Sequence, residues 1–186
     1  MLWLWVLLGV LALLVVLAAF GYNRLVRLRN EADTGWANID VQLQRRTDLI
    51  PNLVEAVRGY AAHERAVFDE VTRARAALQQ ASAPGAAGDA NDALTAALGR
   101  LFAVAEAYPE LKASENFLRL QEDLTDTEDK ISAARRYYNS TVMHYNTAIQ
   151  SIPWVLVAKP LGFRAKEFFS AAGDTAVPQV SLAPSA

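Results

Sequence analysis

Apolar positions between Trp36 and Leu78 recur in sevens. One series takes Trp36, Leu43, Ile50, Val57, Glu64, Val71 and Leu78; the other takes Ile39, Arg46, Leu53, Tyr60, Val67 and Ala74. Eleven of these thirteen positions are apolar, and spacing of three and four over such a length predicts one stripe of a long helix. Val54, Ala61 and Phe68 widen the stripe, which suits a multi-helix bundle better than a lone two-stranded coiled coil. Pro51 removes a backbone donor and disfavours helical geometry at Ile50. The phase nevertheless runs on from Leu43 through Ile50 to Val57, so the pattern predicts a kink there and not a stop. Arg46 and Glu64 interrupt the stripe. They read either as a buried pair or a contact with a polar partner or, in the reading the pattern favours, as drift of ~20° per heptad with long side chains reaching water at the seam edge.

From Gln79 to Asn91 the composition turns to Ala, Ser, Gly, Pro and Asp, which predicts a loop, with Asp89 or Asn91 capping the next helix. That helix carries Leu94, Leu98, Leu101, Ala105 and Tyr108 and reaches Pro109, which either starts a tight turn or bends a continuous helix. A third helix follows with Phe117, Leu124, Ile131, Tyr138 and Tyr145 on one series. Leu120, Thr127, Ala134, Thr141 and Ala148 form its companion, a thinner seam that permits close helix approach. Pro153 ends it. A short fourth helix is expected over Arg164 to Ala171, presenting Phe168 and Phe169, and the tail from 172 to 186 is expected to be disordered. The fold class is therefore all-α, an antiparallel up-and-down bundle of three long helices and one short one.

Ahead of the bundle, Leu2 to Phe20 carry no charged or polar side chain. Nineteen such residues span ~28 Å as a helix, close to the hydrocarbon thickness of a bilayer. Trp3 and Trp5 at one end and Tyr22 past the other match an aromatic belt. A cleaved signal peptide wants a basic start and a shorter apolar core, and no Lys or Arg precedes this run. The expectation is an uncleaved single-pass anchor over 1–21, a bundle over 22–171 and a tail over 172–186. Arg24, Arg27 and Arg29 follow the run directly, and the positive-inside rule then puts the N-terminus outside and the bundle in the cytoplasm. Nothing between anchor and bundle breaks a helix, since Gly21 and Gly35 each cost only about 1 kcal/mol relative to Ala.

Composition adds mainly exclusions. The chain of 186 residues lacks cysteine, which removes disulfides, thiolate metal sites and a cysteine nucleophile. Eighteen basic against twenty acidic residues give a net charge of −2, without the basic excess of a nucleic-acid binder. Glu122, Asp123, Asp126, Glu128 and Asp129 alternate with a regular apolar seam, as a solvated face does. Acid–base catalysis instead needs carboxylates held apart in a pocket. The two histidines, His63 and His144, fit neither the Glu-x-x-His pairs of a di-iron bundle nor a zinc-protease helix. No Gly-rich phosphate loop or Gly-x-Ser-x-Gly elbow occurs. No cofactor or metal is expected.

Two Tyr-Asn pairs, Tyr138-Asn139 and Tyr145-Asn146, lie seven apart. Tyrosine at a seam buries its ring while its hydroxyl finds a partner, so the pairs read as a structural polar seam, with ligand binding as the alternative. A second candidate is the C-terminal aromatic segment around Trp154, Phe163, Phe168 and Phe169, with Lys159, Arg164 and Lys166 between them. It is either a surface for a partner or an anionic leaflet, or the cap on the open end of the bundle.

The motifs themselves resemble a known family. They include Tyr22-Asn23, Leu28-Arg29-Asn30, Trp36-Ala37-Asn38-Ile39-Asp40-Val41-Gln42-Leu43 and Asp48-Leu49-Ile50-Pro51-Asn52-Leu53-Val54. Gly59-Tyr60-Ala61, Tyr108-Pro109, Leu111-Lys112-Ala113, both later Tyr-Asn pairs, Gly162-Phe163 and Phe168-Phe169 continue the match. The chain is similar to the bacterial LemA family through about Phe169, with Ser114 where many relatives carry Asn. The resemblance implies a short outside N-terminus, one span of the bacterial inner membrane and a cytoplasmic antiparallel bundle. It supplies no catalytic residue. The function this supports is a membrane-anchored, non-catalytic interaction or scaffold protein; the alternatives are a sensor or regulatory subunit and, last, an unrecognised enzyme. Expected partners are the bilayer through the N-terminal helix and an unidentified protein; nucleic acid is not among them, and a homo-oligomer stays open.

Overall fold

The structure, a computed structural model, describes residues 2–169. They form α1 (Leu2–Arg58), α2 (Arg65–Gln80), α3 (Pro84–Glu106), α4 (Pro109–Lys112), α5 (Glu115–Gln150) and α6 (Val155–Ala158), with no strand among the described residues. They divide into two compact units: 2–42 with 129–168, and 43–128 with 169. Helices α1 and α5 each contribute to both.

In the first unit, α1 buries Leu25, Ala32 and Ile39 at intervals of seven, and α5 buries Ile131, Tyr138 and Tyr145 at the same interval. The two run antiparallel, since Gly35 of α1 lies against Tyr138 while Gly21 lies against Trp154 just past α5. Leu25, Tyr145, Ala148, Ile149, Ala158 and Phe163 form one core cluster. Phe163 reaches it because Gly162, at φ 77°, turns the chain back after α6 in a conformation that only glycine adopts without strain. The Phe163 N–H then donates to Ala158 O at 3.0 Å.

In the second unit, α1 buries Leu43, Ile50, Leu53 and Val57. Helix α2 folds back along it: the Arg58 guanidinium sits 5.3 Å from the Phe68 ring centroid, and Arg75 Nε donates to Thr47 O at 2.8 Å. Phe68, Val71 and Leu78 are the buried residues of α2, and Leu94, Leu98, Leu101 and Ala105 those at the heart of α3. Across α5 the heptad reading holds in both units: Phe117, Leu124, Ile131, Tyr138 and Tyr145 are all buried, as are Leu120, Thr127, Thr141 and Ala148 of the companion series.

Three expectations need correction. The stripe from Trp36 to Leu78 belongs to two helices, broken at Gly59–Glu64, with Tyr60 and Glu64 exposed in the turn. The seven-residue phase survives the turn, so it does not reveal it. Helix α1 does pass through Pro51. Proline cannot donate to the carbonyl four residues back, and that carbonyl, on Thr47, receives Arg75 Nε instead. Second, the loop expected over Gln79–Asn91 is confined to residues 81–83. Pro84 takes the first helical turn, where its missing N–H costs nothing, and Gly88 and Asn91 are buried within α3. Of the two alternatives open at Pro109 the structure has the turn: Pro109 opens the short α4 after a turn at 107–108. Third, the short helix expected over Arg164 to Ala171 is absent from the described part of that range, where the chain from Phe163 to Phe169 is not helical. Residues 170–171 and the tail at 172–186 lie outside the described residues.

Candidate functional site

The non-helical segment after Gly162 still has to satisfy its backbone groups, and the Tyr-Asn pairs of α5 do this. Tyr138 Oη donates to Glu167 O at 2.7 Å and Tyr145 Oη to Arg164 O at 2.9 Å. Asn146 bonds Lys166 in both directions: Nδ2 donates to Lys166 O and the Lys166 N–H donates to Oδ1, both at 2.9 Å. The amide edge of Asn146 thus pairs with Lys166 as a neighbouring strand would. Lys166 Nζ adds an ion pair to Asp33 of α1 at 2.6 Å. The polar seam read from the sequence therefore serves as a clamp on the C-terminal strap, residues 163–169, and its acceptors are main-chain carbonyls. Asn139 is half-buried beside it and makes interactions of its own. Burial pushes the Tyr138 hydroxyl up to about 12, with Asp33 and Glu167 adding to the rise. Burial likewise raises that of Tyr145, helped by Asp33 and opposed by Arg29 and the bond to Arg164. Both hydroxyls stay protonated and able to donate.

The aromatic quartet does not form a single exposed surface. Phe163 and Phe169 are buried, Trp154 is half-buried and Phe168 is 45% exposed. Trp154 lies over Gly21, where an added Cβ would overlap the indole Cζ3 and Cε3. The ring therefore rests on bare backbone immediately after the apolar run Leu2–Phe20, whose 18-residue apolar window is entirely unburied. Ile152 and Leu156, two residues to either side of Trp154, are 86% and 75% exposed.

The second unit holds a polar centre around Arg46, which the pattern placed at a wet seam edge. The structure buries it to 4% exposure. Its Nη1 donates to Asn91 Oδ1 and lies 2.8 Å from Glu128 Oε2, and its Nη2 donates to Thr95 Oγ1 at 3.0 Å. Burial lowers the Arg46 pKa, while Glu128 and Asp92 oppose that shift. Asp123 and Asp126 each sit 3.7 Å from Arg45, half-exposed, a geometry that contributes little to stability. The carboxylate face of α5 is thus partly engaged by arginines. Nothing local marked Asn91 or Thr95 as partners of Arg46, because they lie 45 and 49 residues away.

Comparison with known proteins adds context. The profile of the LemA family matches residues 35–182. The chain is 30% identical to magnetosome protein MamQ of Magnetospirillum gryphiswaldense over 189 aligned positions, covering 86% of this chain and 70% of MamQ. It is 29% identical to magnetosome protein MamQ 2 of Paramagnetospirillum magneticum, covering 84% and 68%. Protein LemA of Metamycoplasma hominis is 27% identical, covering 80% and 68%. None of these names denotes an enzyme.

Proposed function

The chain belongs to the LemA family, and from that premise we propose that it is a membrane-anchored, non-catalytic interaction module of the bacterial inner membrane. Residues 1–21 act as the anchor and 22–171 as the body it carries. The observation that carries this is the bare apolar run Leu2–Phe20, continuous within α1 with a helix that is packed from Leu25 onward. A surface of that size exposed to water would be a liability, and in a bilayer it is matched to the hydrocarbon. Arg24, Arg27 and Arg29 support an outside N-terminus with the body in the cytoplasm. Trp154 and Phe168 retain the exposure that a contact requires. Cross-linking in intact membranes followed by mass spectrometry tests the proposal: a reproducible protein partner is expected, and its absence together with small-molecule turnover by the purified protein would overturn it. The unbroken course of α1 from Leu2 to Arg58 favours one second reading, a regulatory subunit that relays a membrane signal along that helix. Partner abundance that changes with a membrane stimulus would select it.

A further inference from the structure

Two clefts open where the apolar run ends, and Arg24, Leu28 and Trp154 line both. One, of about 660 Å³, also takes Phe20, Asn23 and Arg27 from α1. The other, of about 480 Å³, takes His144 and Thr147 from α5 and Ser151 just past its end. No carboxylate lines either cleft. Phe20, Arg24 and Arg27 recur at helical spacing and share one face. Counting from Phe20, Arg24 and Arg27 lie about 6 and 10 Å along the axis, while the headgroup layer beyond the hydrocarbon is ~5–8 Å deep. Long arginine stems bridge such a difference by bending toward the interface. Among the described residues neither Arg24 nor Arg27 has an ion-pair or hydrogen-bond partner, although nearby Arg29 pairs with Asp33. Two uncompensated guanidiniums, the Thr147 hydroxyl and an indole wall match a phosphodiester, which guanidinium forks bind bidentately; the Ser151 hydroxyl already donates to Thr147 O. Exposed Ile152 and Leu156 beside the indole match the acyl chains of the same molecule.

We propose that these clefts hold the phosphate headgroup of an anionic phospholipid, bound by Arg24 and Arg27 against Trp154. The proposal rests on the membrane-anchored reading above and extends it to a lipid preference. The full chain, with Trp3, Trp5 and Trp36 changed to Phe so that Trp154 alone fluoresces, is reconstituted into phosphatidylcholine vesicles. These contain a fixed small fraction of either brominated phosphatidylglycerol or brominated phosphatidylcholine. The anionic lipid should quench Trp154 with an apparent enrichment of roughly thirtyfold at low salt, falling as salt rises. Arg24→Gln with Arg27→Gln should abolish the preference, Arg24→Lys with Arg27→Lys should keep only the part due to charge and lose the part due to the bidentate fork, and millimolar inorganic phosphate at constant ionic strength should leave it unchanged. Equal quenching by the two lipids overturns the proposal without reference to any variant. A preference that survives the Gln pair overturns the assignment to these arginines, and one that phosphate abolishes makes this a site for soluble anions. Flotation of the wild-type chain with the vesicles is read in parallel. A chain that floats but shows no preference sinks the headgroup site alone, whereas one that does not float sinks the membrane reading with it.

Discussion

Single residues compensate here for local faults in the helices. Pro51 orphans the Thr47 carbonyl, and Arg75 Nε fills the vacancy from α2. Arg75→Met should therefore cost about 1 kcal/mol, the lower end for an unmatched carbonyl, because the site is only partly buried. In a Pro51→Ala background the helix regains its own donor and the same change should cost much less. Thermal unfolding of the four detergent-solubilised variants, followed by circular dichroism, gives this coupling directly; equal costs in both backgrounds would refute the account. Arg46 sets a second test. Its partner Glu128 faces a buried guanidinium, whereas Asp123 faces the half-exposed Arg45. Glu128→Gln should destabilise by about 2 kcal/mol and Asp123→Asn by under about 1 kcal/mol, and the same melting series ranks them. Neither centre was legible in the sequence. The heptad pattern marks which positions face inward but not which distant residue meets them, and Arg75 lies 28 positions from Thr47.

Among the elements, α5 was the most legible, because its apolar series keeps one phase from Phe117 to Tyr145 and each member is buried. The break between α1 and α2 was hidden by that same regularity: Val57, Val71 and Leu78 are buried in phase on both sides of the turn. The start of α3 was hidden by composition, since alanine and glycine read locally as loop while Pro84 sits well at a helix start. The strap at 163–169 was misread because its backbone is satisfied from 19 to 29 residues away, by the tyrosines and the asparagine of α5. That clamp carries a pH signature. In the unfolded chain tyrosine titrates near 10, and in the folded chain Tyr138 is raised to about 12. The folded state thus prefers the neutral hydroxyl; its contribution is complete below about pH 10 and is lost as pH climbs from about 10 to 12. Hydrogen exchange at the Lys166 amide, measured across that range and divided by the intrinsic rate at each pH, should accelerate in the wild type. In Tyr138→Phe with Tyr145→Phe the strap should already exchange faster at neutral pH, with a flatter rise.

For the molecule as a whole, the apolar run and the first unit share α1, and Trp154 seats on Gly21 where that run ends. An anchor could be read from the apolar run alone; its packing partner could not, because a glycine in an apolar segment does not say what rests on it. Gly21→Leu should push the indole off its seat without shortening the span. The expected outcome is unchanged flotation with membranes and a red-shifted, more quenchable Trp154 emission in the background where the other tryptophans are Phe. An unshifted spectrum would mean that the indole is held by something other than this backbone contact.

The clamp on the strap grips main chain: among the described residues, the side-chain hydrogen bonds of Tyr138, Tyr145 and Asn146 to the strap end on a carbonyl or amide of Arg164, Lys166 or Glu167. Such a grip is blind to spelling. In a saturation scan scored by protein abundance, Arg164 and Glu167 should accept nearly any residue, whereas proline at 166 should fail because Asn146 needs that amide hydrogen. The gripping positions on α5 should be intolerant. Substitution would then accumulate freely at the exposed strap positions 164, 165, 167 and 168, between the buried Phe163 and Phe169, while the path over α5 stays fixed, so the surface chemistry there can diverge without refolding the protein.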